Sequence, residues 1–140
     1  MKHNRQGFIG WFVRNLVTGK NIEIFGDGKQ LRDLNYVDDV VNALLSAGTN
    51  DKAFGEIFNL GMKDPISLED LVKIMVSVFG EGSYSFKEFP QEKKKIDIGS
   101  IYADYSKAKS VLGWEPRVSI EEGIRNTLDY YTKFGSYYWE

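Results

Sequence analysis

Leu31-Arg32-Asp33-Leu34-Asn35-Tyr36-Val37-Asp38-Asp39-Val40 joins two different kinds of sequence. Upstream, Ile22 to Phe25 alternates and runs into Gly26-Asp27-Gly28, which reads as a short strand entering a tight turn. Downstream, Asp38 is placed to cap a helix carrying Val40, Val41, Leu44, Leu45 and Ala47.

Further out the alternation continues. Phe8, Ile9, Phe12, Val13, Leu16 and Val17 recur at helical spacing, and Gly19 is a stop. Glu56 to Leu60 is a nearly continuous apolar run ending at Gly61, the pattern of a strand buried on both faces. Pro65 and Ser67 open another helix, with Asp70 three residues after the serine cap. Its inner stripe is Leu68, Leu71, Val72, Met75 and Phe79, and Gly80 ends it. Tyr84 to Phe89 reads as a strand, and Pro90 to Gly99 is polar with Lys93, Lys94 and Lys95 in its middle. A short helix is expected from Ser106 to Leu112, stopped by Gly113 and kept from continuing by Pro116. Ser119 and Glu122 make a capping box for a last helix with Ile120, Ile124, Leu128 and Tyr131 on one side. Strands alternating with helices indicate an α/β arrangement, a small sheet of three or four strands with flanking helices. The edges of so small a sheet want a partner.

Composition narrows the class. The 140 residues are one domain's worth, read as a single unit over 1–140. A compact chain of this size buries roughly 68% of its unfolded surface. Apolar residues make up 42% and charged residues 27%, as in ordinary globular proteins. The net charge of -2 gives no general attraction for nucleic acid or anionic membrane. With no cysteine there is neither a disulfide framework nor a thiolate metal site, which fits a reducing cytoplasm. His3 is the only histidine, which excludes a histidine-based metal site or triad within one chain. The apolar run from Gly7 to Val13 ends at Arg14 without a small-residue cleavage site, unlike a signal peptide. No stretch approaches the roughly 20 apolar residues of a membrane span.

Five motifs then stand in register: Gly26-Asp27-Gly28-Lys29-Gln30-Leu31-Arg32-Asp33, Tyr36-Val37-Asp38-Asp39-Val40-Val41, Phe58-Asn59-Leu60-Gly61, Tyr102-Ala103-Asp104-Tyr105-Ser106-Lys107 and Leu112-Gly113-Trp114-Glu115-Pro116. In order and spacing they resemble the extended short-chain dehydrogenase/reductases, the NAD-dependent nucleotide-sugar epimerases and 4,6-dehydratases. The resemblance covers essentially the whole chain. It implies the C-terminal, substrate-binding part of an extended Rossmann-type enzyme. The glycine-rich dinucleotide loop that opens such enzymes is not in the sequence, so the N-terminal dinucleotide-binding domain is expected to be absent. Met1 falls where these enzymes run on from a Tyr-Gly-Pro segment and looks like an internal methionine or an artificial start. NAD is then expected in the full-length enzyme and none on this chain alone, which is expected to be inactive. A UDP-glucose 4-epimerase-like parent is the first expectation, and a dTDP-glucose 4,6-dehydratase-like parent the alternative. A non-catalytic binding or assembly module is the reading from another class. Partners implied are a UDP- or dTDP-sugar, a second subunit for the parent, and self-association for the fragment.

The resemblance also nominates residues. Arg32 matches the family's arginine on the nucleotide's phosphates, where a planar guanidinium can meet two oxygens at once. The other reading of Arg32 is a structural ion pair with Asp33 or Asp38. Lys94 falls where similar enzymes have a phosphate-binding arginine, and Asp97 where an aspartate accepts from the ribose hydroxyls. Lysine is a point charge and cannot fork onto two oxygens. Lys93 or Lys95 can serve in its place, and a solvated charge run is the plain alternative. Phe25 sits where the family packs a residue against the base, and Phe8 and Ile9 where backbone wraps around it; ordinary core packing explains all three equally simply.

Two other patterns are set aside. Tyr105 and Lys109 have the Tyr-x-x-x-Lys spacing of the superfamily's catalytic pair, but that pair belongs to the cofactor domain, upstream of the segment matched here. Gly26-Asp27-Gly28 has too few glycines, and no helix follows it directly, so it is a turn and no phosphate cradle. Asp38, Asp39, Glu121 and Glu122 lie at helix starts, where the helix dipole accounts for them. In the aromatic tail, Tyr131 and Phe134 read as a last helix docking on its own core.

Overall fold

Apolar spacing and local end signals set where the elements lie. The structure, a computed structural model, describes residues 7–95 and 97–139. The order is α1 (Phe8–Val17), β1 (Ile22–Phe25), β2 (Leu31–Arg32), α2 (Val37–Gly48), β3 (Ile66–Ser67), α3 (Leu68–Phe79), β4 (Tyr84–Lys87), α4 (Gln91–Lys94), α5 (Ser106–Leu112) and α6 (Ile120–Phe134). Single 3-10 turns lie at Asp51–Ala53 and Gly135–Tyr137. Where length suggests one domain, the contacts fall into two compact units. The first draws on Met1–Lys29, Ser67–Asp97 and Glu121–Glu140, the second on Gln30–Ile66 and Ile98–Ile120.

In the first unit, β1 and β4 pair in parallel, Ile22 opposite Tyr84 and Phe25 opposite Lys87. A parallel pair needs a long crossover, and α3 packs on β1 as part of that return. The core is Phe12, Val13 and Leu16 from α1, Ile22 and Ile24 from β1, and Leu68, Leu71, Val72 and Met75 from α3. Ile124 and Leu128 of α6 are buried as well. Ser67 caps α3 as its spacing predicts: its hydroxyl oxygen accepts from the Asp70 N–H at 3.0 Å, and Gly80 ends the helix with φ 87. Below Phe25 the chain turns at Gly26 and Gly28, both at positive φ, where glycine is the residue that fits.

In the second unit, α2 packs on α5 and on the turn at Asp51–Ala53. Ala43, Ala108 and Trp114 form its buried centre, covered by Phe58, Leu60, Tyr105 and Leu112. The Trp114 indole N–H donates to the Asp39 main-chain oxygen at 2.8 Å. The Asn50 amide donates to Val111 O at 2.9 Å, tying the end of α2 to α5.

Three expectations change. The N-cap position of α2 is Tyr36, with no side-chain cap, so Asp38 lies inside the first turn and acts there on the helix dipole. Glu56 to Leu60 is not a strand, and Ile57 is 82% exposed. A buried strand needs a ladder partner and cover on both faces, and among the described residues this segment has neither. In place of one sheet of three or four strands, the described residues form two sheets of two strands, β1–β4 and β2–β3.

Candidate functional site

The second unit holds the sharpest candidate. Arg32 lies half-buried on β2, and its guanidinium is tethered by its surroundings. Nη1 donates to the main-chain oxygens of Leu31, at 2.8 Å, and of Gly99. Nη2 donates to the Gln30 side-chain oxygen at 3.1 Å. The strand beneath it is fixed to the 99–103 segment: the Leu31 N–H donates to Ser100 Oγ at 3.0 Å, and Leu31 O accepts from the Ile101 N–H at 3.2 Å.

Asp33, next in sequence, spreads its carboxylate over two distant segments. Oδ1 accepts from the Met62 N–H at 2.6 Å, and Oδ2 accepts from the Ala103 N–H at 2.7 Å. Gly61 makes room for this: a Cβ there would stand 2.7 Å from Ala103 O and 2.9 Å from Asp33 Oδ2. Asp39 does comparable work at the start of α2. It is 2% exposed, and its Oδ2 accepts from the N–H groups of Arg117 and Val118 at 3.1 and 3.0 Å. Sequence reasoning credits Asp39 with a dipole role only and weighs Asp33 only as an ion-pair partner. Their acceptor roles leave no local mark, because the donors lie 29 to 79 residues away.

The first unit carries the other candidates. Phe25 ends β1, half-buried, with its ring 5.9 Å from that of Phe89. Phe8 and Ile9 lie in the first turn of α1, both half-buried, and Phe8 meets Phe12 edge-on at 5.6 Å. Lys94 is the exposed last residue of α4, and the Asp97 N–H reaches back to its main-chain oxygen at 3.4 Å. One turn of chain therefore brings Lys94 and Asp97 together. Lys95, exposed, directly follows Lys94.

The two set-aside patterns have structural explanations. Tyr105 precedes α5 at its N-cap position, and its ring meets Trp114 edge-on at 5.9 Å. Lys109 pairs with Glu115 at 2.7 Å, and that hydrogen bond raises its pKa further from neutrality, away from proton-transfer work at pH 7. The turn at Gly26-Asp27-Gly28 does not suit a dinucleotide. A Cβ at Gly28 would stand 3.1 Å from Glu69 Cβ and from the Phe86 ring, so the turn is already filled by the protein's own side chains. The Glu69 N–H at the start of α3 donates to Gly28 O. Among the described residues, no group of three His, Cys, Asp or Glu could hold a metal ion, and no helix is long and apolar enough to cross a membrane.

Comparison with known proteins agrees with this class of α/β, Rossmann-type scaffold. Residues 1–61 match the NAD dependent epimerase/dehydratase family. The chain is 38% identical over 121 residues to a UDP-glucuronate 4-epimerase of Thermodesulfobacterium geofontis, covering 85% of this chain and 36% of that protein. It is 33% identical over 129 residues to a UDP-glucose 4-epimerase of Mycolicibacterium smegmatis, covering 92% and 40%. The crystal structure of a UDP-glucose 4-epimerase with UDP-glucose from Thermotoga maritima superposes with a TM-score of 0.78 at 35% identity, over 94% of this chain and 42% of that one. The match to the NAD dependent epimerase/dehydratase family thus rests on residues 1–61, and the chain spans about two fifths of the length of these relatives.

Proposed function

We propose that this chain is the sugar-nucleotide-binding portion of an NAD-dependent nucleotide-sugar epimerase or dehydratase, with a UDP-sugar 4-epimerase the favoured parent activity. The observation that carries the reading is Arg32, a guanidinium held on a short strand by Leu31 O, Gly99 O and Gln30 Oε1. A tethered cation loses little freedom when an anion arrives, so more of its interaction appears as affinity. The resemblance nominates Arg32, in the second unit, for the pyrophosphate; separately, in the first unit, it nominates Lys94 for a phosphate, Asp97 for ribose hydroxyls, and Phe25, Phe8 and Ile9 for the base. The identity of the relatives named above, two epimerases of UDP-sugars and one crystallised with UDP-glucose, favours uracil over thymine. A dTDP-glucose 4,6-dehydratase-like parent is the second reading.

None of these residues transfers hydride or abstracts a proton from the sugar; they bind and orient. The 140-residue chain alone is therefore expected to carry no NAD and to leave UDP-glucose unchanged. Release of NAD from the purified chain, or turnover by it, refutes that part. Arg32 is tested by calorimetry with UDP in the natural protein that carries this sequence. Arg32→Ala weakens binding by roughly 2 to 4 kcal/mol, because a phosphate charge loses its partner. Unchanged affinity shows that Arg32 serves the fold alone.

A further inference from the structure

We infer that Asp33 is a positioning residue for the phosphate-binding arginine: it locks the strand that carries Arg32 to the segment that tethers the Arg32 guanidinium. This rests on the reading of Arg32 given above and adds a second residue to it.

The argument starts from where the tether comes from. Gly99 O, which holds Arg32 Nη1, belongs to a segment 67 residues away in sequence. A carbonyl so remote can orient a guanidinium only if its own segment is in register with β2. Two contacts on the far side of Gly99 supply that register at Leu31, through Ser100 Oγ and the Ile101 N–H. Asp33 supplies the third, through the Ala103 N–H at 2.7 Å. Leu31 and Asp33 flank Arg32 on either side, so the 99–103 segment is clamped to β2 at both ends of the arginine.

Asp33 also holds the Met62 N–H with its other oxygen. The two bonds fix both the position and the rotation of the carboxylate, since each oxygen has its own donor. A charged acceptor between two backbone donors is stronger than a neutral one, and its bonds are short. Gly61 is the complement: any larger residue would press on Ala103 O and on Asp33 Oδ2 together. Glycine beside Met62 and aspartate beside Arg32 are thus two halves of one joint. Asparagine cannot replace Asp33 without loss, because one of the two N–H donors would then face an amide NH2.

A merely structural clamp and a positioning clamp predict different losses. Calorimetry compares the nucleotide with its phosphate-free nucleoside, using UDP and uridine, or dTDP and thymidine if the natural protein prefers thymine. Asp33→Asn is expected to weaken the nucleotide roughly tenfold, one hydrogen bond's worth, and to leave the nucleoside within about twofold. The double variant Arg32→Ala, Asp33→Asn is expected to bind the nucleotide no more weakly than Arg32→Ala alone, because coupled residues are not additive. Ser100→Ala, which removes only the acceptor of the Leu31 N–H, is the milder variant should Asp33→Asn fail to fold. It must show the same loss confined to the nucleotide, by roughly threefold. Equal losses for nucleotide and nucleoside, or additive losses in the double variant, overturn the inference and leave Asp33 a structural clamp. An unchanged nucleotide affinity in Arg32→Ala instead overturns the reading of Arg32 itself, and the two failures are thereby told apart.

Discussion

Replacing Asp39 gives a sharp measure of how the second unit is held. Its Oδ2 accepts two backbone N–H groups, from Arg117 and Val118, in a side chain that is 2% exposed. Hydrogen bonds to a charged group each contribute about 1.5 to 3 kcal/mol. Asp39→Ala removes both and strands two donors, so a loss of about 3 to 5 kcal/mol is expected. Asp39→Asn is different in kind. Both donors converge on one oxygen, and a single amide oxygen can accept both, so only the charge assistance is lost. About 1 to 2 kcal/mol should go. Against a total stability of about 5 to 15 kcal/mol, the alanine variant is severe and the asparagine variant tolerable. Urea unfolding with an unchanged slope reads both losses. The Trp114 indole N–H resonance reports the site, because it donates to the main-chain oxygen of the same residue. Equal losses for alanine and asparagine would mean that the carboxylate acts through its charge and not through the two N–H groups. A loss under about 1 kcal/mol in Asp39→Ala would refute the clamp altogether.

Two more outcomes follow from the second unit. Gly61→Ala should cost about 1 to 3 kcal/mol by overpacking, since its Cβ would stand 2.7 Å from the backbone oxygen of Ala103, a residue whose own N–H donates to Asp33; a neutral result in urea unfolding would show that the joint has slack. The outer face of α2 exposes Val37, Val41, Leu44 and Leu45, with Phe54 and Ile57 exposed in the same unit. Burying one such side chain is worth about 1.5 to 3 kcal/mol. The 140-residue chain is therefore expected to self-associate, and Leu44→Gln with Leu45→Gln to reduce association while changing stability by less than about 0.5 kcal/mol; a wild-type chain that sediments as a clean monomer at high concentration refutes this.

Much of the local architecture was legible in the residues themselves. Ser67 and Asp70 mark the start of α3, Gly80 and Gly113 mark helix ends at φ 87 and 65, and Ile22 to Phe25 alternates as β1 does. These signals work because caps, left-handed glycines and apolar periods act within a few residues. Arg32 was nominated in a different way, by its resemblance to the family's phosphate-binding arginine, while its residue type alone left a structural ion pair open. What the residues alone did not reveal was which acidic groups organise the second unit. Asp33, Asp38 and Asp39 are alike in sequence, yet Asp38 is exposed while Asp33 and Asp39 each take two backbone donors from distant segments. Glu56 to Leu60 misleads for a related reason. An apolar run has the composition of a buried strand, but a strand exists only where another segment completes its ladder, and Ile57 stands in solvent. Sequence by itself indicated the turns and five of the six helices, all but α4, and its resemblance to a family nominated the arginine. Only the tertiary structure decided which carboxylates are acceptors and where Arg32 is tethered, because a backbone N–H finds its partner by where the whole chain has folded.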